Sequence, residues 1–568
     1  MNLNTIFARK VAYITAIVLL LFPLFMLGQP ATQSTESGKS SSGGKLAQLR
    51  ASYGLSQSSL GEVDPVSSSL QLATFGMRPI AIIVLWHKAT KYQEMEDFDN
   101  VTATVNQIAK LQPHFTSIWK FQAHNLAYNI SVEFDDYKHR YEWVKRGIRF
   151  LMDGTRYNQS EPKLFEETGN YIGQKIGRSD EKHQFRSLFD SDAEFHDEVL
   201  QDIDETVLEI NGPNGNPDNW LVSKIWYRQG EQVYNRGDDD QFAGVLPVVF
   251  FASRPRSQIY YAIALEEDGL LNEVSRAAFS QGHDEWEEFG AKELRIPAEF
   301  HGQFGDINIR MSEYADYARQ ADEAQESLFA VDQILYDDMV SERRLKLTKA
   351  ESHALETDPA VRSDYLKQLA YKAEGQLFIN PQQYIMALRD KVEESPESFG
   401  GEDSAEDTLK EATRIAERVM MWRAREMASE NYLGLSNYQY WLTRCKVEQT
   451  KDATDARIAV QNADRLFPQD RLEEARAEYE QAWELWGKIF KEYPELEGDE
   501  LAENLMPSLA KYVLLLEQYD EEIGDDFVLK GIIDRYQFAP ELEGGGIQFP
   551  TPENPDGAVG EIPVPPTE

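Results

Sequence analysis

The chain contains little cysteine and little basic charge. Its 568 residues include one cysteine, Cys445, which has no partner for an intramolecular disulfide and is too few for a cysteine-rich zinc site. Lysine and arginine number 57 against 97 aspartates and glutamates, which gives a formal net charge of -40 at pH 7. Because phosphate binding needs clustered basic side chains, this balance argues against a nucleic-acid-binding protein. We expect Cys445 to be a buried, inert thiol on an amphipathic helix.

Motifs for catalysis and for metal binding are also scarce. None of the 9 histidines falls in a His-Glu-x-x-His motif, and His114, His124 and His139 are not spaced to share one metal-binding helix face. The acidic segments 266–268 and 285–288 could supply paired carboxylates for glycoside hydrolysis, but acidic residues are so abundant that solvated helix faces explain them more simply. We predict no cofactor and no metal. An exported carbohydrate-active enzyme, built as a helical toroid, is the alternative function.

Helical periodicity is what the sequence does contain. Short turns separate segments in which apolar residues recur at spacings of three and four, namely 404–429, 437–450, 455–467, 471–493 and 500–519. Successive helices joined by short turns pack as antiparallel neighbours. Residues 304–310 instead alternate as a short strand, which predicts half of a small β-hairpin near 300–312. The predicted fold class is therefore mostly α, with helical hairpins stacked as an α-solenoid.

The clearest local pattern is a column of small residues around one larger residue. Small residues at these spacings let a neighbouring helix approach closely, while the larger side chain fills the space beside them. The spacing occurs twice, at Ala475, Tyr479 and Ala482 and at Gly147, Leu151 and Gly154. Ala463 stands on the helix before the first of these columns.

These columns resemble the second helix of a tetratricopeptide repeat (TPR), a hairpin of two antiparallel helices. Trp119 and Ala123, which follow Pro113, resemble the first helix of such a repeat, and Phe165 resembles the same position in the next. Trp119 and Phe165 lie 46 residues apart, against about 34 in a regular repeat, so we predict an insertion near residues 129–140. The resemblance implies a TPR-like fold.

The same resemblance implies where partners bind. Stacked repeats commonly present side chains of their first helices to a peptide or protein. With Trp119 as the buried position, one exposed column in each of two successive hairpins provides the candidate partner-binding residues. They are Lys120, His124 and Tyr128 in the first hairpin and Glu166, Asn170 and Gln174 in the second. The implied function is a noncatalytic scaffold that binds protein partners.

A long uncharged run near the amino terminus predicts a membrane anchor. Residues 11–28 carry no charge and follow Arg9 and Lys10. As a helix these 18 residues would be about 27 Å long, close to the hydrocarbon thickness of a bilayer. They lack the small-x-small site of a cleaved signal peptide, so we favour an uncleaved anchor, with the body outside the cytoplasm, over a cleaved signal.

Two regions resemble a family of large membrane-anchored proteins from planctomycete bacteria. They are residues 111–136, continuing to 158–165, and the block 440–449. This resemblance implies a single-pass protein of the bacterial inner membrane whose body lies in the cell envelope. It brings no established activity.

Composition divides the rest of the chain. Residues 31–59 are rich in Ser and Gly and too poor in apolar groups to order themselves, and the segment after residue 541 is acidic and Pro-rich. The short apolar stretch 80–86 predicts a buried first helix. The predicted organisation is an anchor at 1–30, a flexible tether at 31–62, a TPR-like helical region with insertions at 63–330, a second helical region at 331–540 and a disordered tail at 541–568.

Overall fold

The computed structural model describes a mostly helical protein. It covers Lys45 and Gln48 and residues 78–95, 97–201, 210–236, 246–296, 305–498 and 500–536. Over these residues the only regular sheet has two strands. The predicted mostly α fold is therefore confirmed. The chain forms two compact units, Met1–Gln449 and Thr450–Glu568; the boundary predicted at residue 330 lies inside the first and stays a prediction.

The first half of the first unit consists of helical hairpins. Its helices are α1 (Arg78–Glu94), α2 (Phe98–Leu111), α3 (Thr116–His124), α4 (Tyr137–Tyr157), α5 (Pro162–Asn170), α6 (Lys182–Asp190), α7 (Ala193–Leu200), α8 (Asn219–Arg236), α9 (Pro247–Glu267) and α10 (Glu273–Ala291). The principal packing pairs are α1 with α2, α3 with α4, α5 with α8, α8 with α9, and α9 with α10. Most of these pairs join helices that are neighbours in the chain, as in a helical-repeat arrangement, whereas α6 and α7 separate α5 from α8.

A small β-hairpin follows these helices. Strand β1 (Leu294–Ile296) pairs antiparallel with β2 (Ile307–Ile309), and Arg295 lies opposite Asn308. Each strand buries its first and third residues and exposes the middle one. The strand predicted within 304–310 is confirmed, although its ladder covers three residues and its partner precedes it in the chain.

The rest of the first unit is built around one long helix. Its helices are α11 (Tyr314–Phe329), α12 (Gln333–Arg344), α13 (Lys349–Glu356), α14 (Asp364–Leu377), α15 (Pro381–Glu394), α16 (Glu402–Ser436) and α17 (Tyr438–Glu448). Helix α11 packs along α16. Tyr384 and Leu388 of α15 lie fully buried with Val419 of α16 in one core. Helix α17 packs against α10. It carries Cys445, which is buried as predicted, and burial raises the pKa of its thiol.

The second unit is a smaller group of helices. They are α18 (Lys451–Leu466), α19 (Leu472–Glu492), α20 (Glu500–Glu503), α21 (Met506–Glu517) and α22 (Lys530–Tyr536). Ala475, Tyr479 and Ala482 are fully buried where α19 packs against α18. The Tyr479 hydroxyl lies 2.6 Å from a carboxylate oxygen of Asp464 and donates a hydrogen bond to it. The close helix contact predicted from this column is present.

The apolar stretch 80–86 is helical, as predicted, but it is not buried on all sides. Within α1, Ile82 and Ala89 are buried, whereas Ile83 and Val84 are 67% and 59% exposed. Neighbouring residues on a helix point about 100° apart, so packing against α2 covers only one face. The prediction of a buried first helix is therefore wrong for the remaining face.

Several predicted segments lie outside the described residues. They are the anchor at 1–30, the tail at 541–568 and, apart from Lys45 and Gln48, the tether at 31–62. Across the part of the chain that the structure describes, no helix combines the length and apolarity needed to span a bilayer.

A half-buried carboxylate at the start of α8 gives a pH-dependent prediction. Asp218 accepts hydrogen bonds from the backbone N–H groups of Trp220 at 2.8 Å and Leu221 at 3.3 Å. Burial raises the pKa of Asp218 to about 6, against an ordinary value of 3.8. The folded chain holds this proton more tightly than the unfolded chain, so the stability that the group contributes is present below pH 3.8 and is lost as pH rises through 6.

Asp218→Asn should remove the loss of stability at high pH, because asparagine carries no charge, while it keeps a side-chain oxygen that caps α8. At pH 7.5 we expect the variant to be more stable than the wild type by on the order of 2 kcal/mol, and the difference to vanish near pH 4. Urea unfolding of both proteins at the two pH values measures this. Asp218→Ala is the control, because it removes the charge and also the cap. The same pH dependence in wild type and Asp218→Asn would contradict the prediction.

Candidate interaction surface on the first helices

Two glycines of α4 allow α3 to pack closely against α4. A Cβ atom at Gly147 would lie 2.9 Å from the carbonyl oxygen of Ala123, and one at Gly154 would lie 2.9 Å from the indole of Trp119. Trp119 is 3% exposed, and its Nε1–H donates to the carbonyl oxygen of Pro113 at 2.8 Å. This contact determines which side of α3 is buried and which side faces away from α4.

Both first helices continue into a π-helical turn. Helix α3 runs into Asn125–Ile130 and α5 runs into Tyr171–Lys175. The second turn receives side-chain hydrogen bonds from α8, where the Asn219 amide donates to two of its carbonyl oxygens at 3.1 and 3.2 Å. A 3₁₀ turn, Ser131–Glu133, follows the first π turn. The turns after α3 overlap the start of the insertion predicted near 129–140, which stays a prediction. π turns are frequent at functional sites.

The first predicted column forms an aromatic cluster with the next hairpin. His124 is exposed, and Lys120 and Tyr128 are half-buried. The His124 and Tyr128 rings stack with centroids 4.8 Å apart. On its other sides, Tyr128 meets Tyr171 edge to face at 5.4 Å and lies 4.4 Å from the Lys175 ammonium. The structure thus brings the column together with two residues of the second π turn.

Burial changes the proton affinities in this cluster. Partial burial of the His124 ring against its neighbours lowers its pKa, and the nearby positive charge of Lys175 lowers that pKa further. Burial also lowers the pKa of Lys175, although the negative charges of Glu181 and Asp180 oppose the shift. His124 is therefore held toward its neutral form. It offers a partner an aromatic ring and hydrogen-bonding nitrogens rather than a charge.

The second predicted column is less exposed than the first. Glu166 is 7% exposed, and its carboxylate forms an ion pair with Lys163 at 2.6 Å. Asn170 and Gln174 are half-buried. The contacts with the α3 segment come from the neighbouring column, one residue further along the chain, which consists of Glu167, Tyr171 and Lys175. The partner-binding roles of the six candidate residues stay predictions.

The assignment of the second column from helical spacing in the sequence misses Tyr171 and Lys175. The count takes Phe165 as the most buried position of α5, whereas Leu164 is fully buried and Phe165 is only partly buried. An error of one residue in the count turns the chosen face of a helix by about 100°, so the count selects the neighbouring column of side chains. The apolar Leu164 is the signal that could have set the count correctly.

The carboxylates considered for catalysis bind basic side chains of other helices. Glu285 of α10 forms an ion pair with Lys224 of α8 at 2.5 Å, and both side chains are largely buried. Asp268, just after α9, forms an ion pair with Arg186 of α6 at 2.7 Å. These contacts give both carboxylates a role in joining helices.

One group of side chains has the composition of a cation site. His283, Asp284 and Glu287 bring three potential ligand atoms within 4.8 Å of one another. They lie on a single turn of α10, and the two carboxylates are exposed. Exposed acidic groups are common on a chain with this net charge, so we assign no metal to them.

Similarity to known proteins adds no assignment for this surface. No model of a known protein family matches the chain, and no curated protein matches it either. The function of the surface therefore has to follow from its residues and their geometry.

Proposed function

We propose that the protein is a noncatalytic, TPR-like helical scaffold that binds protein partners at the cell envelope. In this proposal, the uncharged segment 11–28 holds it in the inner membrane. The observation that carries the proposal is the cluster of His124, Tyr128, Tyr171 and Lys175, which joins the first helices of two successive hairpins.

The chemistry of the cluster suits protein recognition. Aromatic side chains provide a large contact area and lose little conformational entropy, and they are enriched at protein interfaces. Contact with Lys175 and Tyr171 already restrains the Tyr128 ring, so a partner meets a partly ordered surface. Such preorganisation lowers the entropic cost of binding. The exposed His124 ring is the part of the cluster that a partner contacts first.

Site-specific crosslinking in the native cells tests this proposal. A photoreactive aromatic residue in place of His124 should give discrete crosslinked products with one or a few proteins, because its ring lies on the exposed side of the cluster. The same residue in place of Lys138, which is exposed on α4, is the matched control and should not give those products. Adding Lys120→Ala and Tyr128→Ala to the His124 probe should reduce the yield by about tenfold if the cluster acts as an interface hot spot.

Circular dichroism should show unchanged helicity in these variants. Identical products from positions 124 and 138, or an unchanged yield after the two alanine substitutions, would remove the cluster as the partner-binding surface.

A further inference from the structure

A groove lies between the β-hairpin and the long helix α16. It consists of two adjoining cavities of about 410 and 590 Å³, and Asn308 and Arg425 line both of them. The larger cavity is bounded on one side by residues 305–308 and on the other by α16. We call this larger cavity, with Arg414, Arg418, Met421 and Arg425 along α16, the arginine groove.

The arginines of the groove have few acidic partners. Within the described residues, neither Arg418 nor Arg425 forms an ion pair, and Arg414 reaches only the exposed Glu411 at 3.6 Å. Unpaired guanidinium groups are unexpected in a protein with 97 acidic residues against 57 basic ones. The contrast indicates that this side of α16 is available to an external anion.

Most carboxylates around the two cavities are already paired. Asp306 accepts a hydrogen bond from Arg295 at 2.8 Å, and Arg310 pairs with Glu293 at 2.9 Å and with Glu313 at 3.1 Å. Asp316 pairs with Arg319 at 2.9 Å. Glu417 also lines the larger cavity, beside Arg418 on the exposed side of α16. The pairing leaves a local excess of guanidinium groups over free carboxylates.

Arg425 is held in place without an acidic partner. Its guanidinium carbon lies 4.8 Å from the centre of the Trp422 ring, and Tyr317 stacks on the same indole at 6.0 Å. Its Nε atom is buried and has no hydrogen-bond partner. An arginine resting on an aromatic face keeps its N–H donors available in its own plane, which suits two-pronged binding of a carboxylate.

We propose that the arginine groove binds an extended acidic segment of a partner protein. Along α16, Arg414 and Arg418 are separated by about 6 Å, and Arg418 and Arg425 by about 10 Å, at 1.5 Å per residue. In an extended peptide, every second side chain points to the same face, and such residues are separated by about 7 Å. Acidic residues at three alternate positions therefore face α16 together and span about 13 Å, against about 16 Å for the three arginines, a difference that the long flexible side chains cover. The half-buried Met421 contacts the aliphatic parts of the acidic side chains.

The net charge of the whole protein does not prevent such binding. Charges separated by more than about 8 Å are largely screened at physiological ionic strength, whereas contact pairs between arginine and carboxylate are screened much less. Repulsion by the acidic body therefore slows the approach of the peptide more than it weakens the bound state. The binding experiment belongs at about 0.15 M salt, where the distant charges matter least. This surface shares no residue with the aromatic cluster, so either can fail without the other.

Fluorescence anisotropy with the full chain and a labelled peptide tests the groove. The probe is Ala-Glu-Ala-Glu-Ala-Glu-Ala-Ala, and the two comparison peptides carry three glutamines in place of the glutamates or three consecutive glutamates. We expect the probe to bind and both comparison peptides to bind at least about tenfold more weakly. Arg418→Gln and Arg425→Gln should each weaken probe binding by about tenfold, because each loses charge-assisted hydrogen bonds.

Arg389→Gln is the matched control, since Arg389 is exposed in the middle of α15 and lies outside the groove. It should change probe affinity by less than about twofold if only the groove arginines bind. Equal binding of the glutamine peptide, an equal loss in Arg389→Gln, or displacement of the probe by an equal concentration of inorganic phosphate would overturn the proposal. If Arg425→Gln fails to fold, Arg418→Gln at its exposed position decides the result alone.

Discussion

Replacing Trp119 by alanine is expected to destabilise the hairpin of α3 and α4 by about 3–5 kcal/mol, as removal of a buried tryptophan typically does. The side chain is 3% exposed and packs against Phe150 and Tyr157, with ring centroids 4.7 and 5.6 Å away. Its Nε1–H also satisfies the Pro113 carbonyl. Urea unfolding followed by circular dichroism measures the change. Trp119→Phe keeps an aromatic ring and should cost less than the alanine variant.

A double-mutant cycle with Gly154 tests the packing itself. Gly154→Ala should destabilise the wild type, because its Cβ would lie 2.9 Å from the indole. With Trp119→Ala the indole is absent and only the Cβ atom of residue 119 remains, 3.1 Å from the new Cβ. The same substitution should then cost much less, because the higher helix propensity of alanine, up to about 1 kcal/mol, offsets the remaining close contact. The expected result is thus a much smaller loss in the Trp119→Ala background. The same effect in both backgrounds would show that the two residues do not pack as described.

The hairpin positions illustrate what the sequence predicts well. A column such as Gly147, Leu151 and Gly154 has one physical explanation, close approach of another helix, and the structure places α3 against it. The helices predicted from apolar spacing, including 455–467 and 471–493, are found as α18 and α19 within a few residues. These features depend on local periodicity, which a sequence contains directly.

The surface features could not be predicted in the same way. The cluster around Tyr128 depends on π turns that bring Tyr171 and Lys175 to it, and no spacing rule for α-helices anticipates a π turn. The arginine groove joins α16 to a strand more than 100 residues earlier in the chain. Two of its arginines, Arg418 and Arg425, form no ion pair within the part of the chain that the structure describes, which only a folded chain reveals. Composition predicted an acidic protein but not a local excess of guanidinium groups.

Lys224 provides the second large effect, because it is a buried charge with a defined partner. Its ammonium donates to a carboxylate oxygen of Glu285 at 2.5 Å and to the side-chain oxygen of Gln258 at 2.8 Å. Burial lowers the pKa of Lys224, and the carboxylate of Glu285 opposes that shift. Lys224→Met should destabilise the first unit by about 3 kcal/mol, because Glu285 then loses its close cation and keeps the Gln281 amide at 2.9 Å and Arg254 at 3.8 Å.

Two variants separate this explanation from a general loss of packing. Lys224→Met combined with Glu285→Leu should recover most of the loss, since an apolar pair of similar volume replaces a buried ion pair at little cost. Lys182→Met is the more exposed control: its ion pair with Glu267 has a similar length, 2.7 Å, but both side chains are 32% exposed, so its loss should stay below about 1 kcal/mol.

Unfolding free energies from urea titration measure the effect of all three variants. Equal losses at Lys224 and Lys182, or no recovery in the double variant, would mean that the buried charge of Glu285 is not what destabilises Lys224→Met. Recovery would show that Glu285 contributes to stability through its ion pair with Lys224, which joins α8 to α10.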